Sequence, residues 1–245
     1  MEWYLAQQTI MAGPLYGGTG SWVKLDSPIG SGNLVVVMAE FYDGYNGEDT
    51  GTYPPPNITV YDGSGNYYAF AENSGPRSAN YGQMFNAYFI NSGNNADRNL
   101  YLKSDINAAV LDMYIWEFHS NLERTIVLDR STGYKGQAVN YAGINPTLSG
   151  VTIGAPVVIG VTTQTALSDI SNPWVKSISL HGDCSAYQLA QQSTVSLSGT
   201  LSGYSELYAA AMVAFKVQQE VPPTPVFWLA GNQRFLFLNG RFVTF

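Results

Sequence analysis

Residues 193–216 read STVSLSGTLSGYSELYAAAMVAFK. The first half alternates: Val195 and Leu197 point one way, Thr194 and Ser196 the other, the period-2 pattern of a half-buried strand. The second half, Leu207 to Phe215, is nearly all apolar, as a strand buried on both faces is. Leu201-Ser202-Gly203 supplies a turn, so the stretch reads as two strands of a hairpin closing a β-sandwich domain. Lys216 ends the run, and the stiff segment Val221-Pro222-Pro223-Thr224-Pro225 follows.

Upstream, turn signals recur at strand-length spacing: Gly17-Gly18, Gly30-Ser31-Gly32, Asp62-Gly63-Ser64-Gly65-Asn66, Asn91-Ser92-Gly93 and Gly182-Asp183. Between them lie about a dozen strand patterns, the size of a two-sheet, jelly-roll-like sandwich. Residues 33–42 (NLVVVMAEFY) and 108–118 (AAVLDMYIWEF) read as central strands. Residues 57–61 and 67–71 read as one hairpin, and 84–90 with 100–103 as another pair. Residues 122–147 lack a clear period and read as a long connection. The expected organisation is an N-terminal arm or extra strand over 1–19, the sandwich over 20–217, a linker over 218–225 and a meander over 226–245. In that last unit, Gly231-Asn232 and Asn239-Gly240 separate three short apolar strands. So short a meander cannot bury its own faces, so Phe227, Trp228, Phe235, Phe237, Phe242 and Phe245 must pack on the sandwich or on a neighbouring subunit.

Composition narrows the function classes. The chain has 245 residues, 45% of them hydrophobic, enough for a substantial core, which argues against disorder. Charged residues are 12%, roughly half the usual share, and Gly (25) and Tyr (17) are plentiful, which suits a turn-rich β surface. A net charge of −7 with 11 scattered Lys and Arg argues against a nucleic-acid groove and against binding to anionic membranes. The first residues lack a basic and apolar leader pattern, and no run approaches the ~18 apolar residues of a membrane span. The expected place of synthesis is therefore the cytoplasm.

Few residues offer chemistry. Cys184 is the sole cysteine and reads as a small buried hydrophobe. His119 and His181 are the only histidines, and no spacing typical of a zinc site is present. Asp112 and Glu117 fall on opposite faces of one strand, which argues against a paired-carboxylate glycosidase. No nucleophile elbow occurs, so an enzyme is not expected. The loop bearing Asp43, Asn46, Glu48 and Asp49 offers oxygen ligands among glycines and is the calcium candidate, although its spacing is not that of an EF-hand. Tyr42, Tyr45, Tyr53, Tyr67, Tyr68, Tyr81 and Tyr88 suit either sugar stacking or ordinary packing.

The segment order resembles a group of phage and prophage β-sandwich proteins. The matching motifs are GNLVVVMAEF (32–41), ITVYDGSGNYYAF (58–70), NAYFI (86–90) with NLYLKS (99–104), AAVLDMYIWEF (108–118) and LYAAAMVAFK (207–216). The resemblance spans residues 20–217; the insert 42–56 and the Phe-rich tail depart from it. It implies a non-enzymatic virion protein, either capsid-decorating or part of a tail or fibre attachment. Such a protein would be a homo-oligomer partnered by other virion proteins, held by its arm and aromatic tail. The alternative expectation is a carbohydrate- or receptor-binding module on the particle surface, reading host glycans.

Overall fold

The structure, a computed structural model, describes residues 3–15, 21–42, 58–75, 84–91, 98–104, 109–121, 125–139, 143–163, 167–177, 183–201, 205–218, 226–230, 233–238 and 241–244. These residues are all-β, in several antiparallel sheets, and none of them is helical.

The first half of the chain builds two sheets. One holds β1 (Trp3–Leu15), β3 (Leu34–Tyr42), β5 (Ala69–Asn73), β6 (Met84–Asn91) and β8 (Ala109–Ser120), in the order β1-β8-β3-β6-β5. The other holds β2 (Ser21–Lys24), β4 (Ile58–Asp62) and β7 (Asn99–Ser104), in the order β2-β7-β4. The second half repeats the plan. β9 (Ile126–Val139), β12 (Pro156–Thr163), β14 (Val175–Lys176), β15 (Cys184–Leu189) and β18 (Ser205–Val217) run β9-β18-β12-β15-β14. Against them lie β10 (Gly143–Ile144), β13 (Leu167–Ser168) and β17 (Gly199–Leu201), ordered β10-β17-β13, with β11 (Thr147–Ser149) paired to β16 (Thr194–Ser196). The pairs Gly143↔Thr200 and Thr147↔Ser196 keep one register, so β10–β11 and β16–β17 are two interrupted strands of a single ladder. Taken in chain order, the first strand of each half neighbours the last, the third neighbours the last on its other side, and the small sheet covers the large one. The chain is thus two topologically equivalent units, with no repeat evident in the sequence.

Three cores give the stacking order. Val35, Val37, Phe41, Leu100, Leu102 and Ile115 fill the space between the two sheets of the first unit. Val157, Ile159, Val161, Leu148, Leu197 and Met212 do the same in the second. Leu34, Val36, Met38, Trp116, Phe118, Val158, Val213 and Phe215 form the third core, between the two large sheets. Four β layers result, and the two large sheets are covered on both faces. This is why β3, β12 and β18 carry near-continuous apolar runs rather than alternation. Gly160 marks a close approach: a Cβ there would lie 2.5 Å from the Phe85 ring and 3.0 Å from Met38.

Several expectations need correction. Of the two readings of residues 1–19, arm or extra strand, the structure shows the strand: Trp3–Leu15 is an edge strand paired within the chain to β8. The hairpin expected over 57–71 reduces to one bridge, Tyr61↔Tyr67, because β4 and β5 enter different sheets. β6 and β7 likewise separate rather than pair. Residues 126–139, expected within a connection, are a strand paired along the whole of β18. Its outward positions are polar or glycine because it lies at a sheet edge, which erased the apolar period. The opening stretch is not a hairpin either: β16 and β17 pair with β11, β10 and β13, and β18 with β12 and β9. The burial reading of that stretch holds, since Val195, Leu197 and 209–215 are buried.

The C-terminal meander forms as expected. β19 (Val226–Ala230), β20 (Gln233–Leu238) and β21 (Arg241–Thr244) make their own three-stranded sheet, with Ala230↔Gln233 and Leu238↔Arg241 closing the pairs. The side chains of Phe227, Trp228, Phe235, Phe237, Phe242 and Phe245, and the proposed calcium loop with Asp43, Asn46, Glu48 and Asp49, lie outside the described residues.

Candidate functional site

Two constellations stand out, one on the surface and one in the middle core. The surface one is built by the small sheet of the first unit. Strand alternation turns Val23, Val60, Leu100 and Leu102 inward and leaves the opposite face to Trp22, Tyr61 and Tyr101. Register lines these up: Trp22 pairs with Tyr101, and Tyr101 with Tyr61. The bridge from Tyr61 adds Tyr67. The Tyr61 and Tyr101 rings stack at 5.1 Å and 13°, and Tyr67 lies 5.9 Å beyond at 38°. Trp22 and Tyr67 are 56% and 71% exposed, and with Tyr61 and Tyr101 they make one contiguous aromatic patch.

The ladder crosses three gaps of ~4.8 Å, so it runs roughly 14 Å over the sheet. Polar groups frame it in register. Lys24 faces Asn99 on one side, and Thr59 faces Lys103 on the other. Both lysines are exposed. The Asp62 carboxylate fixes the turn that carries Tyr67, accepting from Ser64 N at 2.9 Å, Asn66 N at 3.0 Å and Asn66 Nδ2 at 2.9 Å. Chemically, this face offers aromatic planes for stacking and flanking ammonium groups for hydrogen bonding.

Among the tyrosines singled out in sequence, Tyr67 belongs to this ladder. Tyr68 and Tyr88 are buried, and burial raises both hydroxyls, keeping them neutral. The side chains of Tyr42, Tyr45, Tyr53 and Tyr81 lie outside the described residues. Trp22, Tyr61 and Tyr101 were not singled out. The signal for them is register: each is the outward aromatic of a short alternating strand, but only pairing shows that they align.

The middle core holds the second constellation. Glu40 on β3 and Asp112 on β8 project from the first unit, Asp183 and Thr162 from the second; all four are buried. One carboxylate oxygen from each acid lies within 4.8 Å of the others. Register makes this convergence: Met38 pairs with Tyr114 and Ala39 with Met113, which brings Glu40 and Asp112 next in line on the same face of neighbouring strands. Phe41 then pairs with Val110, so β8 carries one extra residue opposite Glu40. Burial first, then the charges of Asp183 and Asp112, hold the Glu40 carboxyl well above the usual carboxylate range. Burial also raises Asp183, to about 6, although Thr163 N donates to its Oδ1 at 2.8 Å. Tyr114 Oη donates to the Asp183 carbonyl at 3.2 Å, and Trp116 Nε1 to Ser185 Oγ at 2.8 Å, so both units share polar contacts here.

The remaining sequence candidates serve structure. Burial pushes the Cys184 thiol up to about 12, which leaves it neutral and inert. His119 is half-buried, with Nδ1 at 2.8 Å from Asn33 Oδ1 and its ring 4.9 Å from that of Tyr4. His181 lies outside the described residues. Glu117 does face away from Asp112; it accepts from Gly30 N at 2.8 Å and from the side-chain amides of Gln7 and Asn33. It ties β8 to β1 and to the turn before β3. Comparison of the chain with protein-family models, with curated proteins and with solved structures finds no match.

Proposed function

We propose that this chain is a non-enzymatic, saccharide-binding structural protein of a phage particle, with each half a jelly roll. The observation that carries the binding reading is the exposed Trp22–Tyr101–Tyr61–Tyr67 ladder. Aromatic planes stack on the apolar faces of sugars, and sheets position them without moving. Lys24 and Lys103 favour sugars that carry carboxylates or other acceptors along the edge. Affinity arises from a preformed surface, so little ordering is needed on binding.

The jelly-roll reading rests on strand order. In both halves the large sheet joins the first, last, third and sixth strand positions, and the small sheet the second, seventh and fourth. The virion reading rests on the resemblance of residues 20–217 to phage β-sandwich proteins. A rigid four-layer block suits a particle component, and the Phe-rich meander offers sheet edges for pairing with neighbouring virion subunits. The N-terminal stretch is already engaged within the chain, so the tail alone remains as the docking element.

The test is glycan binding by the full chain, scored on a panel of neutral and acidic oligosaccharides and quantified by calorimetry. Trp22→Ala and Tyr67→Ala should each weaken binding by about 1–2 kcal/mol while leaving the melting temperature nearly unchanged, because both rings are exposed. Binding that survives both substitutions would falsify the ladder as the site.

A further inference from the structure

The acidic cluster in the middle core is unrelated to the saccharide face and lies on the opposite side of the first unit's large sheet. Three carboxyl groups converge in a space without water access. Both oxygens of Glu40 are buried and lack a formed hydrogen bond. The Thr162 hydroxyl is also fully buried; it sits beside the Glu40 and Asp183 carboxyls without reaching good hydrogen-bond geometry to either. It reaches them because β12 alternates: Val158, Gly160 and Thr162 face the first unit, while Val157, Ile159 and Val161 face away. A threonine suits either face of a strand, so an unsatisfied hydroxyl aimed at carboxylates calls for a reason. Leaving such groups bare costs about 1–3 kcal/mol apiece.

We propose that Glu40, Asp112, Asp183 and Thr162 bind a divalent cation of the Ca²⁺ type that clamps the two units together. The donors are all hard oxygens, which select Ca²⁺, Mg²⁺ or Mn²⁺ over zinc or copper. The mutual spacing of the three carboxylates, within 4.8 Å, matches ligands placed around one ion at ~2.3–2.6 Å. Ca²⁺ is favoured over Mg²⁺, because its larger and more flexible shell accepts bidentate carboxylates in a dry site, whereas Mg²⁺ retains water. The ion would carry two positive charges into the cluster and satisfy Glu40 and Thr162 together. Each unit supplies two of the four ligands, so the ion's binding energy acts directly on their association.

The test uses the full chain, stripped with a chelator and then titrated with Ca²⁺, Mg²⁺ or Mn²⁺. Ca²⁺ at ~100 times its dissociation constant should raise the melting temperature by roughly 5–10 °C. Tb³⁺ should show emission sensitised by Tyr114 and Trp116, and Ca²⁺ should quench it by displacement. Glu40→Gln keeps the side-chain shape and should abolish both responses. Thr162→Val keeps the fold and should weaken Ca²⁺ by on the order of 10-fold, so it reads the site even if Glu40→Gln does not fold. The double substitution Glu48→Gln with Asp49→Asn should change neither response. No thermal shift with any of the three ions, a response that follows Glu48 and Asp49, or one left intact in Thr162→Val and Glu40→Gln would each overturn the proposal. Saccharide binding by the stripped protein separates this result from that of the aromatic face.

Discussion

Asp129 shows how one residue sets the pH response of a sheet edge. Its Oδ1 lies 2.8 Å from Lys216 Nζ, and its Oδ2 accepts from Thr152 N at 2.7 Å. Burial alone would raise this carboxyl, but Lys216 and Thr152 outweigh it and hold Asp129 below its ordinary range. A depressed folded-state value gives stability that is complete above the unfolded value of ~3.9 and is lost as pH falls through the folded one. Asp129→Asn should therefore lower the urea midpoint at pH 7 and flatten the acid limb below about pH 4. Denaturation curves from pH 2 to 7 on both chains check this; parallel curves would mean that Lys216 and Thr152 contribute nothing net. The sequence showed Asp129 only as one acid in an unpatterned stretch, because its partners lie 23 and 87 positions away.

At the scale of elements, backbone approach matters more than propensity. β12 crosses the first unit at Gly160, where the Phe85 ring occupies the space a side chain would need. Gly160→Ala should cost about 1–3 kcal/mol, since the neighbours are themselves fully packed. Urea midpoints read this directly, and a neutral substitution would show that the two large sheets are looser than their packing implies. The register of β3 against β8 is the other decisive local feature. Met38 pairs with Tyr114 and Ala39 with Met113, so Glu40 and Asp112 come next on the same face of neighbouring strands and meet in the middle core. Long apolar strands such as β3 and β18 were legible because burial on both faces leaves an unbroken apolar run. β9 was not legible, because an edge strand with Gly133, Lys135, Gly136 and Gln137 needs no apolar period.

For the whole molecule, the meander and the block make separate claims. Gln218 N donates to Thr125 O at 2.8 Å, so the block's last described backbone contact falls just past β18. The three C-terminal strands pair only with one another in the sheet ladders. If the tail docks on neighbouring subunits, light scattering should give an oligomer for the full chain. A chain ending at Gln218 should then be a folded monomer. Two monomers would remove the tail as a self-assembly device and leave another virion protein, or the glycan face, as the point of attachment.

The sequence by itself determined that this chain is all-β, that residues 207–215 form a strand buried on both faces, that Cys184 is an inert core residue, and that a hairpin-linked meander follows the Pro-rich segment. Each follows from a local pattern: apolar runs, alternation, and Asn-Gly turns. Only the tertiary structure decided that the strands form two equivalent units stacked in four layers. Pairing between the first and last strands of a unit joins residues between 66 and 117 positions apart, and nothing local records it. The aromatic ladder and the acidic cluster share that origin. Trp22, Tyr61 and Tyr101 sit on separate short strands, and Glu40, Asp112 and Asp183 on three others. Cross-strand register and the packing of two sheets bring each set together, and those are properties of the folded chain.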